Sequence, residues 1–76
     1  MKIQKVGIYP NPTGDILNVT NIPEKTKFEI HNMVGQIIKK GEIINKQVPV
    51  SELSTGAYII TINNDTISED IKFIKK

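Results

Sequence analysis

The 76-residue chain contains no cysteine, no tryptophan and no arginine, and it has a single histidine. Without cysteine there are no disulfide bonds, which small domains often use to support a limited hydrophobic core. All ten basic residues are lysines, whereas arginine is the usual side chain for binding phosphates and base edges. The net charge of +2 therefore does not indicate a nucleic-acid partner, and a packed core must stabilise the fold alone.

Long apolar stretches are also missing. The longest apolar run, Ala57 to Ile60, is far shorter than a membrane span. Residues 1–5 lack the apolar segment of a signal peptide, so an extracytoplasmic parent protein would have to carry the export signal elsewhere. The sequence predicts one domain over residues 1–76 without direct membrane insertion. Within it, residues 1–7 are expected to be a linker or an expression remnant, with the first strand beginning near residue 5.

Residue patterns for catalysis or cofactor binding are scarce. His31 is the one candidate base for a catalytic triad, and the serines match by residue type alone, because none lies in a nucleophile-elbow pattern. A zinc site would need more histidines or cysteines, a calcium loop would need clustered aspartates, and no glycine-rich loop precedes a helix. The sequence therefore predicts that the chain is not an enzyme, has no metal or other cofactor, and carries His31 as a solvent-facing strand residue.

The pattern that is present is typical of β-structure. Turn signals recur about every ten residues, and isoleucine, a β-branched residue, is the main core material. We predict an all-β, immunoglobulin-like antiparallel β-sandwich of about seven short strands with Greek-key connections. Strands are expected over residues 5–9, 15–20, 26–31, 36–40, 57–63 and 66–74, with a less regular stretch at 42–50.

Alternation within these segments predicts which side chains face the core. In the second strand, either Ile16 or the pair Leu17 and Val19 faces inward. Pro49 marks an edge strand, because proline has no N–H for a sheet ladder. The other inward rows are expected to be Phe28 and Ile30; Val48 and Val50; Tyr58, Ile60 and Ile62; and Ile67, Ile71 and Phe73.

A tyrosine-corner motif precedes the strongest strand. In Leu53-x-x-Gly56-x-Tyr58, the tyrosine hydroxyl is expected to donate to a backbone carbonyl a few residues upstream. Leu53 should pack beneath the corner, while Gly56 allows the reversal of the chain. This motif argues for the fold and hardly for function, because fibronectin type III domains use nearly the same pattern.

A second motif follows the first strand: Ile8-Tyr9-Pro10-Asn11-Pro12-Thr13-Gly14-Asp15. The prolines fix two φ angles, and the short side chain of Asn11 can cap local backbone groups. Taken alone, these residues are consistent with a stiff turn and no further role.

Together, in this order, the two motifs resemble the C-terminal sorting domain of the type IX secretion system of Bacteroidota (type A). The resemblance extends from Ile8 to Lys76. It includes the segment from Phe28 to Gln36, which contains Gly35, and the basic end from Phe73 to Lys76. One departure is His31, where the family more often has tyrosine.

The resemblance implies a non-catalytic secretion signal. Its covalently fused N-terminal cargo would pass through the periplasm, cross the outer membrane through the type IX translocon, and end at the cell surface or be secreted. A sortase-like cysteine protease would then remove the domain. The basic end would be a flexible electrostatic handle for an acidic groove, although lysines at strand edges also serve simply to discourage aggregation. The residues implied in recognition are Tyr9, Pro10, Asn11, Pro12, Gly35, Leu53, Gly56, Tyr58, Lys75 and Lys76.

The tyrosine corner supports an alternative equally well. The chain could be a fibronectin-like or immunoglobulin-like binding or spacer module of a surface enzyme or adhesin. Its length counts mildly against this alternative, because such sandwiches usually contain about 100 residues.

Overall fold

The computed structural model describes residues 6–23, 25–65 and 67–76 as two antiparallel β-sheets that share one core. The sheets have the strand orders β1-β2-β5 and β4-β3-β6-β7, so the chain crosses between them after β2, β4 and β5. The predicted all-β, immunoglobulin-like sandwich of seven short strands is thereby confirmed. The strands are β1 (Gly7–Tyr9), β2 (Ile16–Thr20), β3 (Lys27–His31), β4 (Ile37–Glu42), β5 (Gln47–Pro49), β6 (Gly56–Asn63) and β7 (Ser68–Lys75).

Alternation along the strands places one row of side chains from each sheet in the core. In β2, Leu17 and Val19 are buried while Ile16 is 43% exposed, which decides between the two inward faces left open by the sequence. Ile67 and Ile71 are half-buried and pack against the same core. The other predicted inward residues are buried: Phe28, Ile30, Val48, Val50, Tyr58, Ile60, Ile62 and Phe73.

Two strands extend beyond their predicted ends, β4 to Glu42 and β7 to Lys75, because backbone pairing with the neighbouring strand continues there. β4 continues to Glu42 because it pairs with β3 as far as Lys27. β5 lies at the edge of its sheet, which confirms the edge position predicted from Pro49. The strand starts predicted at residues 5 and 66 lie outside the described residues.

The register of the strands defines two poles of the sandwich. At one end Gly56 pairs with Lys75, and Thr13 forms an isolated bridge to Lys75. We call this end the distal pole because β1 begins at the other end, the proximal pole, where Gly7 pairs with Thr20. The distal pole comprises residues 9–16, 31–37, 49–58 and 73–76; the proximal pole comprises residues 20–23, 25–27, 42–47 and 63–65.

Lys39 connects the two sheets between their edge strands β4 and β5. Its Nζ lies 2.7 Å from Glu52 Oε2 and donates a hydrogen bond to the Pro49 carbonyl at 2.6 Å. The hydrogen bond from Lys39 holds the pKa of the Glu52 carboxyl below its ordinary value. Because Glu52 is largely exposed, the ion pair contributes little to stability.

Candidate functional site at the distal pole

The tyrosine corner has the predicted geometry. The Tyr58 hydroxyl donates to the Ser54 carbonyl at 2.7 Å, four residues upstream. The Tyr58 ring stacks on Phe73, with 5.7 Å between the ring centroids, and Leu53 is buried beneath the corner. Gly56 has a φ of +156°, yet a Cβ there would meet no atom within 4 Å. Backbone conformation, and not lack of space, therefore favours glycine at this position.

The Asn11 side chain binds a distant strand instead of local backbone. Its Nδ2 donates to the Lys72 carbonyl at 3.2 Å, and its Oδ1 accepts a hydrogen bond from the Ile74 N–H at 2.9 Å. Both partners lie on the outer edge of β7, more than sixty residues along the chain. The expectation of a local cap is therefore wrong, because the turn between β1 and β2 lies directly against β7.

Thr13 continues the same contact with its backbone. Its N–H donates to the Ile74 carbonyl at 2.8 Å, and its carbonyl accepts from the Lys76 N–H at 2.8 Å. The Thr13 side chain is fully buried, and its hydroxyl donates to the Ile16 carbonyl at 3.0 Å. Sequence reasoning missed this residue. The one signal in the sequence is that Thr13 is β-branched and directly follows Pro12, where the turn leads back into the packed sandwich.

The basic end is part of the sheet and not a flexible handle. Lys75 is the last residue of β7, pairs with Gly56 and is only 7% exposed. Its Nζ donates to the Lys76 carbonyl at 2.9 Å. The expected flexibility of Lys75 and Lys76 is therefore wrong, because Thr13 and Gly56 hold their backbone from both sides.

Gly35 closes the turn between β3 and β4 at the same pole. It has a φ of +90°, in the left-handed region that glycine adopts without steric cost. The Asn32 Oδ1 accepts hydrogen bonds from the N–H groups of Val34 and Gln36, at 3.1 and 3.0 Å. These bonds fix the turn and leave Val34 81% exposed at its tip.

All ten residues singled out from the sequence lie at the distal pole, and they fall into two groups. Leu53, Tyr58 and Lys75 are buried and shape the pole, while Gly56 is half-buried at the start of β6. The exposed group is Tyr9, Pro10, Asn11, Pro12, Gly35 and Lys76.

Apolar side chains are also concentrated at this pole. Of the eight large exposed hydrophobic residues in the described part of the chain, six lie there, while Ile38 and Ile44 do not. The six are Tyr9, Ile16, Met33, Val34, Ile37 and Ile74.

The single histidine lies beside one carboxylate. His31 is half-buried, and its Nε2 lies 3.3 Å from Glu29 Oε1 on the outer face of β3. Within residues 6–23, 25–65 and 67–76, no three acidic, histidine or cysteine side chains form a group that could hold a metal ion. In the same residues, no helix has the length and hydropathy of a membrane-spanning segment.

The chain is a small β-sandwich module, and the ten residues singled out from its sequence all lie at one end of it. Residues 7–76 match the model of the family described as the secretion system C-terminal sorting domain, and the chain belongs to this family. The match confirms the resemblance on which the sequence analysis depends.

Two larger proteins contain a region similar to this chain. The chain is 29% identical over 63 residues to beta-agarase D of Zobellia galactanivorans, a match that covers 83% of this chain and 13% of the agarase. It is 30% identical over 63 residues to beta-agarase A of the same organism, covering 78% of this chain and 12% of that protein. The chain thus spans about an eighth of the length of these relatives.

The fold resembles part of PorZ, an essential surface component of the type IX secretion system of Porphyromonas gingivalis. The TM-score is 0.73 at 18% identity, and the match covers 93% of this chain and 11% of the PorZ chain. At this identity the similarity establishes the fold.

Replacing Tyr58 with phenylalanine tests the corner. The Tyr58→Phe change should lower the free energy of unfolding by about 1 kcal/mol, because the Ser54 carbonyl loses a partly buried hydrogen bond. In a domain of this size the melting temperature should fall by roughly 4–8 °C. Unchanged thermal stability would show that the hydrogen bond from Tyr58 to Ser54 does not stabilise the fold.

Deleting Lys75 and Lys76 tests whether the end is structural. The deletion removes the pairing with Gly56 and the hydrogen bond to the Thr13 carbonyl, so unfolding should become easier by about 2 kcal/mol. The control Lys76→Gln keeps the backbone bonds and should stay within about 0.5 kcal/mol of the unaltered chain. A deletion variant that melts at the unaltered temperature would show that the end is dispensable for folding.

Proposed function

We propose that this domain is a non-catalytic secretion signal that directs a fused cargo through the type IX secretion system to the cell surface or the medium. Membership of the C-terminal sorting domain family supports export as its role. The observation that carries the proposal is the convergence of both sequence motifs at the distal pole. We take this pole as the surface that the outer-membrane translocon recognises.

The position of the cargo is consistent with this proposal. β1 begins at the proximal pole, so a cargo joined before it would lie away from the distal pole. The agarase relatives, of which the matched region is 13% and 12%, suggest a small module joined to a much larger catalytic cargo. The cargo would supply the chemistry, and this domain would be no enzyme.

The remaining steps of the proposal come from the family resemblance. The parent would pass through the periplasm before it meets the translocon. A sortase-like cysteine protease would then cut the domain from the cargo, in the segment that precedes Ile8. The domain itself would be discarded.

A reporter fusion tests the proposal. Residues 1–76 are placed behind a periplasmic signal peptide and a folded reporter, and the fusion is expressed in a type IX-competent bacterium and in an isogenic strain without the translocon. We expect the reporter outside the first strain and in the periplasm of the second. The mature reporter should also lack the domain by mass spectrometry.

A reporter that stays in the periplasm of the competent strain, also with longer linkers before residue 1, would contradict the proposal. That result would favour the binding or spacer module, which has no reason to need the translocon. Export of the uncut fusion would keep the signal function and contradict only the removal by a protease.

A further inference from the structure

β7 is an edge strand whose outer side is only partly covered. In an antiparallel strand the backbone groups of successive residues point alternately to the two sides. Ile74 directs its N–H and carbonyl outward, to Asn11 and Thr13, so Asp70 and Lys72 also direct theirs outward. The Nδ2 of Asn11 donates a hydrogen bond to the Lys72 carbonyl. In the described part of the chain, the outward N–H groups of Asp70 and Lys72 have no such partner.

The outer edge of β7 is covered in its distal half, from Lys72 to Lys76. Three outward groups of Lys72 and Ile74, together with the Lys76 N–H, are bound by Asn11 and Thr13. Asn11 and Thr13 thus take the place that a neighbouring strand would have beside the distal half of β7. We call this contact the edge clip.

We propose that Asn11 is a positioning residue of the secretion signal: its side-chain amide holds the end of β7 in the strand, so that the exposed Lys76 meets the translocon in one fixed geometry. This inference rests on the proposed function. The clip also covers backbone groups that would otherwise be free to pair with another chain.

Asparagine suits this position because one planar amide offers both a donor and an acceptor. The donor meets the Lys72 carbonyl, and the acceptor meets the Ile74 N–H two residues later. Aspartate would keep the acceptor but would present a second lone pair to the Lys72 carbonyl. Pro10 and Pro12 restrict the backbone on both sides of the amide and offer no N–H groups of their own.

Hydrogen exchange in the unaltered domain tests the clip without any variant. We expect the amides of Ile74 and Lys76 to exchange at least about tenfold more slowly than those of Asp70 and Lys72, which lie on the same edge. Equal exchange at the four positions would show that the clip does not hold in solution and would overturn the proposal.

Export of variants tests the role of the clip. In the reporter fusion, Asn11→Ala should accelerate exchange at Ile74 by about tenfold, leave the Ile60 amide protected, and reduce export several-fold. Asn11→Asp keeps the acceptor for the Ile74 N–H, so it should restore that protection and part of the export. Loss and recovery of export in parallel with protection at Ile74 would link export to this hydrogen bond, and a separate variant measures the effect of general stability.

The matched control is Thr26→Val at the proximal pole. Thr26 is fully buried; its hydroxyl donates to the Pro23 carbonyl at 2.7 Å and accepts from Asn64 Nδ2 at 3.2 Å. The change therefore lowers stability at the proximal pole and leaves the edge clip at the other end of β7 intact. We expect this variant to be exported normally. If Asn11→Ala opens the edge but is exported like the unaltered fusion, or loses no more export than Thr26→Val, the positioning role is wrong. If the unaltered fusion itself is not exported, the proposed function fails instead.

Discussion

The contact on which the distal pole depends is the pairing of Asn11 and Thr13 with the outer edge of β7. It joins a turn near the start of the chain to the last residues of the final strand, so the two motifs form one surface. Without it, β7 would keep only its pairing with β6, and the last residues would be free to fray. The tyrosine corner supports this surface from inside the core through the stacking of Tyr58 on Phe73.

The ten residues predicted to act in recognition divide into a buried and an exposed group. Under the proposed function, this division lets a small domain be stable and be recognised by the translocon. Leu53, Tyr58 and Lys75 are used inside the pole, whereas Asn11 and Lys76 remain exposed. A module of this size has a modest core and no disulfide, so the buried residues that stabilise the pole lie directly beside its exposed residues. Under the proposed function, a change at this pole would affect folding and recognition together, which is why the control at Thr26 matters.

Much of the fold could be predicted from the sequence, because alternation and turn residues act locally. Phe28 and Ile30 face inward as expected, and Gly35 adopts the positive φ that its turn requires. The role of Asn11 could not be predicted, because its partners are more than sixty residues away and are backbone groups, which leave no trace in the side-chain pattern. The side-chain pattern also gave no sign of the backbone bonds that hold Lys75 and Lys76, so both were expected to be flexible. The position of Lys75, two residues after the inward-facing Phe73, could have indicated that it is buried.

The most direct measurement of the central claim is site-specific photocrosslinking during export. A photoreactive side chain is placed at Val34 at the distal pole or at Ile44 at the proximal pole, two exposed apolar positions on opposite ends of the sandwich. We predict crosslinks to translocon proteins from position 34 and none from position 44. Crosslinks from position 44 alone would contradict the assignment of the distal pole as the recognised surface.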